Sequence, residues 1–275
     1  MENPLEIFSE NLFADRTVLV TGGGRGIGRQ IALAFAGLGA NTVIAGRNAD
    51  TLEPTAEEIR STGMQCLPLI TNIREPEEVE NLLNKTLETF DRIDFLVNNA
   101  GGQFPARPSE ISDRGWRAVI DLNLNGTWNV CSRVGPHMAK LGFGAIVNIV
   151  HVYSLERGAP PFAHSGAARA GVVNLTKTLA YYYARQNVTV NALAPGFVST
   201  AGLQEKEFDP LKHKDYRTKA IEDVPAKRLA EASEVAAMVV FLCSPAARYI
   251  NGTTLVADGA LSLSNWTPWM DPDTP

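Results

Sequence analysis

Thr21-Gly22-Gly23-Gly24-Arg25-Gly26-Ile27-Gly28 follows the apolar run Thr17-Val18-Leu19-Val20 and opens a helical pattern over residues 27–38. Glycines at this spacing let the backbone turn sharply and come close to a pyrophosphate. The helix start beyond them offers unpaired N–H groups and partial positive charge. A glycine motif alone is weak. Between a strand and a helix, at the head of a βαβ unit, it reads as a dinucleotide cradle. Gly22, Arg25, Gly26, Ile27 and Gly28 are its expected contacts.

Outward from that loop, β-branched runs alternate with longer amphipathic stretches. Strands are expected at residues 17–21, 41–45, 66–70, 93–97, 145–150, 188–193 and 253–257. Helices are expected at 27–38, 50–61, 75–90, 112–141, 162–185 and 233–242. Such alternation implies a parallel sheet with helices on both faces. The near-continuous apolar strands fit burial on both sides. The expectation is an α/β fold: a single-domain, Rossmann-type, doubly wound parallel sheet of about seven strands over residues 1–275. Residues 200–231 break the rhythm with Lys206, Lys212, His213, Lys214, Arg217 and Lys219. An insertion there reads either as a substrate lid or as a solvated surface helix.

The net charge of −5 lacks the basic excess of a nucleic-acid binder. Cys66, Cys131 and Cys243 match no metal-ligand spacing and form no CxxC pair. They read as small buried apolar residues in a reducing compartment, with no metal expected. The polar, acidic N-terminal segment resembles neither a signal nor a transit peptide. No apolar run reaches the ~18 residues that span a bilayer, and the C-terminal residues are not a peroxisomal address. A cytoplasmic protein with no membrane or nucleic-acid partner is expected.

The second strand ends in Ala45-Gly46-Arg47-Asn48. An NAD binder often carries an acid there to hold the ribose hydroxyls. Arg47 together with Arg25 would instead clamp a 2′-phosphate, which favours NADP(H). An arginine that merely starts an exposed helix is the alternative.

With these residues, Asn98-Asn99-Ala100-Gly101, Asn123-Leu124-Asn125-Gly126, Ala194-Pro195-Gly196 and Asp258-Gly259 resemble the short-chain dehydrogenase/reductase family from Thr17 to Leu263. The resemblance implies that Asn99, Ala100 and Gly101 line the adenosine-ribose and nicotinamide side. It implies Asn72 and Ile73 beside the adenine, and Pro195, Gly196, Val198 and Thr200 beside the nicotinamide. A homotetramer is implied as well.

Most of that family carries Tyr-x3-Lys on the helix after the fifth strand. The pair shares one helical face. The lysine lowers the tyrosine pKa, and the tyrosine exchanges a proton with an alcohol or ketone oxygen. Here Ser165 and Arg169 hold those places, and the upstream serine place reads Val150-His151-Val152. Serine is a poor proton donor, and a guanidinium keeps its proton at neutral pH. Ketone–alcohol chemistry is therefore disfavoured. Reduction of an enoyl thioester needs only hydrogen-bond donors for an enolate oxygen.

Two acyl-CoA subgroups lack the usual pair. The peroxisomal-type trans-2-enoyl-CoA reductases are similar at Asn98-Asn99-Ala100-Gly101-Gly102-Gln103-Phe104, Thr71-Asn72-Ile73-Arg74, His164-Ser165-Gly166-Ala167-Ala168-Arg169-Ala170-Gly171-Val172 and Val224-Pro225-Ala226-Lys227-Arg228. The 2,4-dienoyl-CoA reductases are similar at Tyr153, Ser165 and Arg169. Unlike the first subgroup, this chain has Val173 rather than tyrosine before Lys177. Lys177 itself falls about 12 Å along the helix from Arg169.

The resemblance thus makes Tyr153 the first choice for a donor to the enolate oxygen and Ser165 a second donor. Arg169 binds the cofactor ribose and supplies positive charge, and Asn123 holds a water or a backbone bend. Tyr153, Ser165 and Asn123 have purely structural alternatives as a packed aromatic, a helix-start hydroxyl and a buried amide. His151 and His164 are candidate proton relays or packed imidazoles. Arg157 and Lys212 to Lys219 are candidate contacts for coenzyme A phosphates, and Trp266 and Trp269 for the site mouth or a neighbouring subunit. Three functions stay open: an NADPH-dependent reductase of a 2-enoyl thioester, a hydroxyl/carbonyl dehydrogenase or reductase with an atypical site, and a non-catalytic NADP(H)-binding protein.

Overall fold

In the computed structural model, which describes residues 3–203 and 216–264, the apolar runs form seven parallel strands. They are β1 (Thr17–Thr21), β2 (Asn41–Gly46), β3 (Cys66–Ile70), β4 (Phe95–Asn98), β5 (Gly144–Ile149), β6 (Val188–Pro195) and β7 (Thr254–Ala257). Their order in the sheet is β3-β2-β1-β4-β5-β6-β7. β1 pairs with β2 on one side, Thr17 opposite Asn41, and with β4 on the other, Val18 opposite Phe95. The chain winds outward from β1 in both directions. Where the two windings diverge, a crevice opens beyond the carboxyl ends of β1 and β4.

The helices are α1 (Gly26–Gly37), α2 (Ala49–Ser61), α3 (Pro76–Phe90), α4 (Asp113–Ile120), α5 (Gly126–Leu141), α6 (Ala163–Tyr183), the short turn α7 (Ala201–Leu203), α8 (Tyr216–Asp223) and α9 (Ala232–Cys243). α1, α2 and α9 bury their apolar faces on one side of the sheet, around Ile31, Phe35, Leu52 and Val239. α3, α5 and α6 bury theirs on the other, around Leu82, Val134, Met138 and Leu179. A third cluster joins Val150, Tyr153, Phe162, Phe197, Val224 and Leu261 beyond the strand ends. All three cysteines are buried and free.

The elements differ from the sequence expectation in instructive places. The long helix expected at 112–141 is divided: residues Asp121–Asn125 form a π-helical turn between α4 and α5. The Thr127 hydroxyl donates to the Asn123 carbonyl at 2.8 Å, which steadies the widened turn. The fourth strand starts two residues later than expected, at Phe95, although the Asp94 backbone already bonds to Thr17 of β1 and Ala145 of β5. The Ile93 N–H donates to His137 Nε2 at 3.3 Å. β6 extends to Pro195 because Pro195 is paired with Ala257. Of the segment 200–231, residues 200–203 and 216–231 are described; they include α7, α8 and Ala230, which forms a parallel bridge with Val198. Lys206, Lys212, His213, Lys214, Trp266 and Trp269 lie outside the described residues.

Asp94 joins the amino ends of β1 and β4. Its buried carboxylate accepts from Arg16 Nη1 at 2.8 Å, from Arg92 Nε at 2.8 Å and Nη2 at 2.5 Å, and from the Thr17 N–H at 2.9 Å. Removing such a partner leaves charges and a buried donor uncompensated. Asp94→Ala is expected to lower unfolding free energy by about 3 kcal/mol, as measured by urea denaturation.

Candidate active site

The glycine loop lies where β1 ends. Gly22 adopts φ +67°, a left-handed conformation that favours glycine. A Cβ on Gly28 would fall 2.2 Å from the Gly22 carbonyl oxygen, so the loop folds onto the helix start only because that side chain is missing. Arg25 precedes α1 without capping it through its side chain, and the first turn holds no acid. The helix N–H groups and dipole are thus left to a ligand. Thr21 and Asn99 brace the loop from below. The Thr21 hydroxyl accepts from the N–H groups of Asn99 and Ala100 at 3.1 and 3.0 Å. Asn99 Nδ2 donates to the carbonyls of Thr21 and Gly22 at 3.1 and 3.2 Å.

A cleft of about 520 Å³ opens above this loop. Among the residues expected from the sequence, it brings together Gly22, Arg25, Gly26, Ile27, Arg47, Asn99, Ala100, Gly101, Arg169, Pro195, Gly196, Val198 and Thr200. Gly28, Asn72, Ile73, Asn123, Tyr153 and Ser165 are not part of its lining. Asn48, Thr51, Gln103, Ile149, His151 and Phe197 are. Gln103 was in view as part of the Gly101-Gly102-Gln103 motif. Phe197 and Thr51 carried no signal of their own. The cradle, the free helix start and the two exposed arginines together fit a nicotinamide dinucleotide.

Arg169 is positioned by a ladder through the core. Asn98 Nδ2 donates to Asn148 Oδ1 at 2.8 Å, and Asn148 Nδ2 donates to Thr176 Oγ1 at 2.9 Å. This ties β4, β5 and α6 in one rotational setting. Two turns earlier on α6, Arg169 therefore faces the cleft. Its Nη1 donates to the Ile149 carbonyl at 2.8 Å, and its Nε donates to Ser165 Oγ at 3.3 Å. Ser165 is buried beneath it. Lys177, two turns on, is exposed and away from the cleft.

Asn123 sits in the π turn and spends its amide on the loop after β4. Its Nδ2 donates to the carbonyls of Gly102 and Val119, each at 2.8 Å, and its Oδ1 accepts from the Gly102 N–H at 3.2 Å. A Cβ on Gly101 would lie 2.7 Å from both Asn123 Oδ1 and Arg169 Nη2. Asn123, Gly101 and Arg169 therefore hold one another in place. Ile73 is buried against Gly126, and Asn72 hydrogen-bonds to Glu75 and Arg74 nearby.

After β5 the chain makes a short 3-10 turn, Val152–Ser154. It turns His151 toward the cleft and Tyr153 into the apolar cluster. The Tyr153 ring stacks on His151 at 4.0 Å between centroids and lies near Phe162 and Phe197. His151 Nδ1 accepts from the Tyr153 N–H at 3.2 Å. Burial, then the adjacent Arg169 charge, push the His151 pKa down to about 3. His164 is fully buried, its Nδ1 accepting from the Ser165 N–H at 2.8 Å and its ring edge-on to Phe104. Burial lowers its pKa too. Both shifts favour the neutral ring, which keeps one N–H donor and one acceptor nitrogen. Arg157 is engaged at the Ser264 carbonyl.

This constellation, a switch-point cleft over a glycine cradle with a cation at its far wall, defines a dinucleotide-dependent oxidoreductase. The chain belongs to the short-chain dehydrogenase/reductase family. A family model described as Enoyl-(Acyl carrier protein) reductase matches residues 22–262. The peroxisomal 2,4-dienoyl-CoA reductase [(3E)-enoyl-CoA-producing] of Mus musculus is 37% identical over 259 residues, covering 92% of this chain and 86% of that protein. The 3-oxoacyl-[acyl-carrier-protein] reductase of Staphylococcus epidermidis is 36% identical over 251 residues, covering 90% of this chain and all of its own length (100%). Among solved structures, the citronellol catabolism dehydrogenase AtuB of Pseudomonas aeruginosa PAO1 superposes with a TM-score of 0.81 at 40% identity, covering 93% of this chain and 98% of its own. Among the described residues, no helix is long and apolar enough to cross a membrane, and no cluster of His, Cys, Asp or Glu is arranged for a metal ion.

Proposed function

We propose that the chain is an NADPH-dependent reductase of the C=C bond of a 2-enoyl thioester of the acyl-CoA type, acting as a cytoplasmic homotetramer. The observation that carries this reading is the Ser165–Arg169 pair, with the guanidinium bound to Ile149 and Ser165 at the cleft wall. A proton shuttle is missing from that helix face, while a fixed positive charge is present. When bound, the nicotinamide supplies a hydride to the β-carbon of the thioester. Enoyl thioester, NADPH and one proton become saturated thioester and NADP⁺. The chain's task is then to hold the oxygen on which negative charge gathers. Arg169 provides charge and orientation there, and Asn123 fixes the Gly101–Gly102 loop against it. Arg25 and Arg47 hold the 2′-phosphate at the opposite end.

The similarity to a 2,4-dienoyl-CoA reductase supports acyl-CoA as the substrate class. The 3-oxoacyl reductase similarity supports the competing reading, reduction of a carbonyl. The test offers NADPH with crotonyl-CoA, a 2,4-dienoyl-CoA or acetoacetyl-CoA and identifies the product by mass. Expected is cofactor consumption with an enoyl substrate and gain of two hydrogens at carbon. Consumption with acetoacetyl-CoA alone overturns the proposal. Tight NADPH binding with no turnover of any of them favours a non-catalytic role.

A further inference from the structure

His151 is the imidazole that lines the cleft beside Arg169, and the proposed reduction as set out above gives it no task. Three observations define what it presents. Its Nδ1 accepts from the Tyr153 N–H at 3.2 Å, so in the neutral ring the proton sits on Nε2. Nε2 has no hydrogen-bond partner among the described residues, in contrast to the satisfied amide of Asn123. The ring is clamped: the Tyr153 ring stacks on one face, and the Ser154 hydroxyl and the His151 backbone close a reciprocal cap around the same turn.

We propose that the Nε2–H of His151 donates a hydrogen bond to the carbonyl oxygen of the bound acyl thioester, alongside the Arg169 charge. This rests on the enoyl-thioester reading above and adds the residue that polarises the substrate. The proton stays on Nε2 throughout, and the α-carbon is protonated from water. The groups facing the ring are Arg169 from α6 and Tyr153 from the 3-10 turn. With that cation and burial acting together, the imidazole stays uncharged well below neutral pH. A neutral imidazole is a weaker acid than imidazolium, and its N–H is closer in acidity to an enol, so it can hold an enolate oxygen without surrendering its proton. Tyr153, buried behind the turn, then acts as the positioning residue: its backbone fixes the tautomer, and its ring fixes the plane.

The experiment uses the full chain with NADP⁺ and crotonyl-CoA carrying ¹³C at the carbonyl, observed by difference infrared spectroscopy. Wild type, His151→Leu and His151→Gln are compared, with thermal melts and NADPH fluorescence titration showing that each variant folds and binds cofactor. The carbonyl stretch is expected to move to lower frequency on binding to wild type. The shift should be absent in His151→Leu and partly restored in His151→Gln, whose amide offers a donor. With NADPH, kcat and kcat/KM should fall together by about 100-fold in His151→Leu, as for removal of one oxyanion donor. Imidazole ¹⁵N spectra should show a protonated Nε2 and an unprotonated Nδ1 from pH 6 to 8. A shifted carbonyl that persists in His151→Leu, or His151 titrating in that range, overturns the assignment while leaving the enoyl reading intact. A wild type that neither binds nor polarises the thioester overturns both.

Discussion

An Arg25→Ala/Arg47→Ala double variant is expected to lose about 100-fold in kcat/KM with NADPH while its rate with NADH changes by no more than a few-fold. Both arginines line the cleft next to the glycine loop, and both are solvent-exposed. Neither forms a salt bridge with another described residue. Their neighbours explain why the burden falls on them. The Asn48 side chain accepts from the Asp50 N–H at 2.9 Å as the cap of α2, so its Oδ1 is committed to the helix. Thr51 donates to the Asn48 carbonyl at 2.9 Å. Thus no carboxylate stands at the end of β2 to hold ribose hydroxyls, and two cations face the cleft there. A charge-assisted contact to phosphate is worth about 1.5–3 kcal/mol. Solvent screening at exposed arginines puts each contact at the lower end of that range, so two together amount to about 3 kcal/mol, or roughly 100-fold. Raising ionic strength should weaken NADPH binding more than NADH binding for the same reason. Steady-state rates with each cofactor, at fixed thioester, check this. A wild type that prefers NADH would remove the basis for a 2′-phosphate clamp.

The parts of the molecule that were readable in the sequence are those where local chemistry and global position coincide. Gly22 and Gly28 are required by a positive φ and by contact with backbone, so the cradle is written in residues that nothing else can replace. Arg169 was legible because a departure at a fixed helical spacing is visible without coordinates. Other features depend on contacts far apart in the chain. The Asn98–Asn148–Thr176 ladder links three elements, and no local pattern announces it. The π turn at Asp121–Asn125 changes the helical period by a fraction of a residue over a single turn, too little to disturb the apolar pattern. The sidedness of the turn after β5 was hidden for a related reason. A three-residue 3-10 turn has no period from which to tell which ring faces inward, and His151 rather than Tyr153 is the one on the cleft wall. Asn72 and Ile73, which the resemblance puts beside the adenine, lie between β3 and α3, where the Asn129 amide of α5 donates to the Ile73 carbonyl at 3.0 Å.

Arg169→Met should lower kcat/KM by about 10³-fold, and Arg169→Lys should recover less than a tenth of the loss. The expectation follows from how many tasks one guanidinium performs. Nη1 holds the Ile149 carbonyl at the last residue of β5, and Nε reaches Ser165 Oγ one helical turn away. Nη2 lies against Gly101, close enough that a Cβ there would be 2.7 Å away. The planar fork thereby joins β5, α6 and the loop after β4 while placing its charge at the cleft. Methionine keeps the apolar stem but removes every donor. The direct electrostatic loss is about 10²–10³-fold for an oxyanion-stabilising group. Freeing the Ile149 carbonyl and the Gly101 loop adds to it, since misplacing reacting groups by about 1 Å is itself costly. Lysine restores charge but only from a point, and it cannot span Ile149 and Ser165 together. The two variants also differ in pH dependence. A guanidinium keeps its charge across the accessible range, so wild-type activity should show no alkaline loss arising from this group. An ammonium in its place gives activity that is present at lower pH and falls as pH rises through the lysine pKa. Rates of Arg169→Lys between pH 7 and 10, with circular dichroism at each pH, make the comparison. If Arg169→Met keeps wild-type kcat with folded secondary structure, the cation at this wall has no part in turnover, and the thioester reading loses the observation on which it stands.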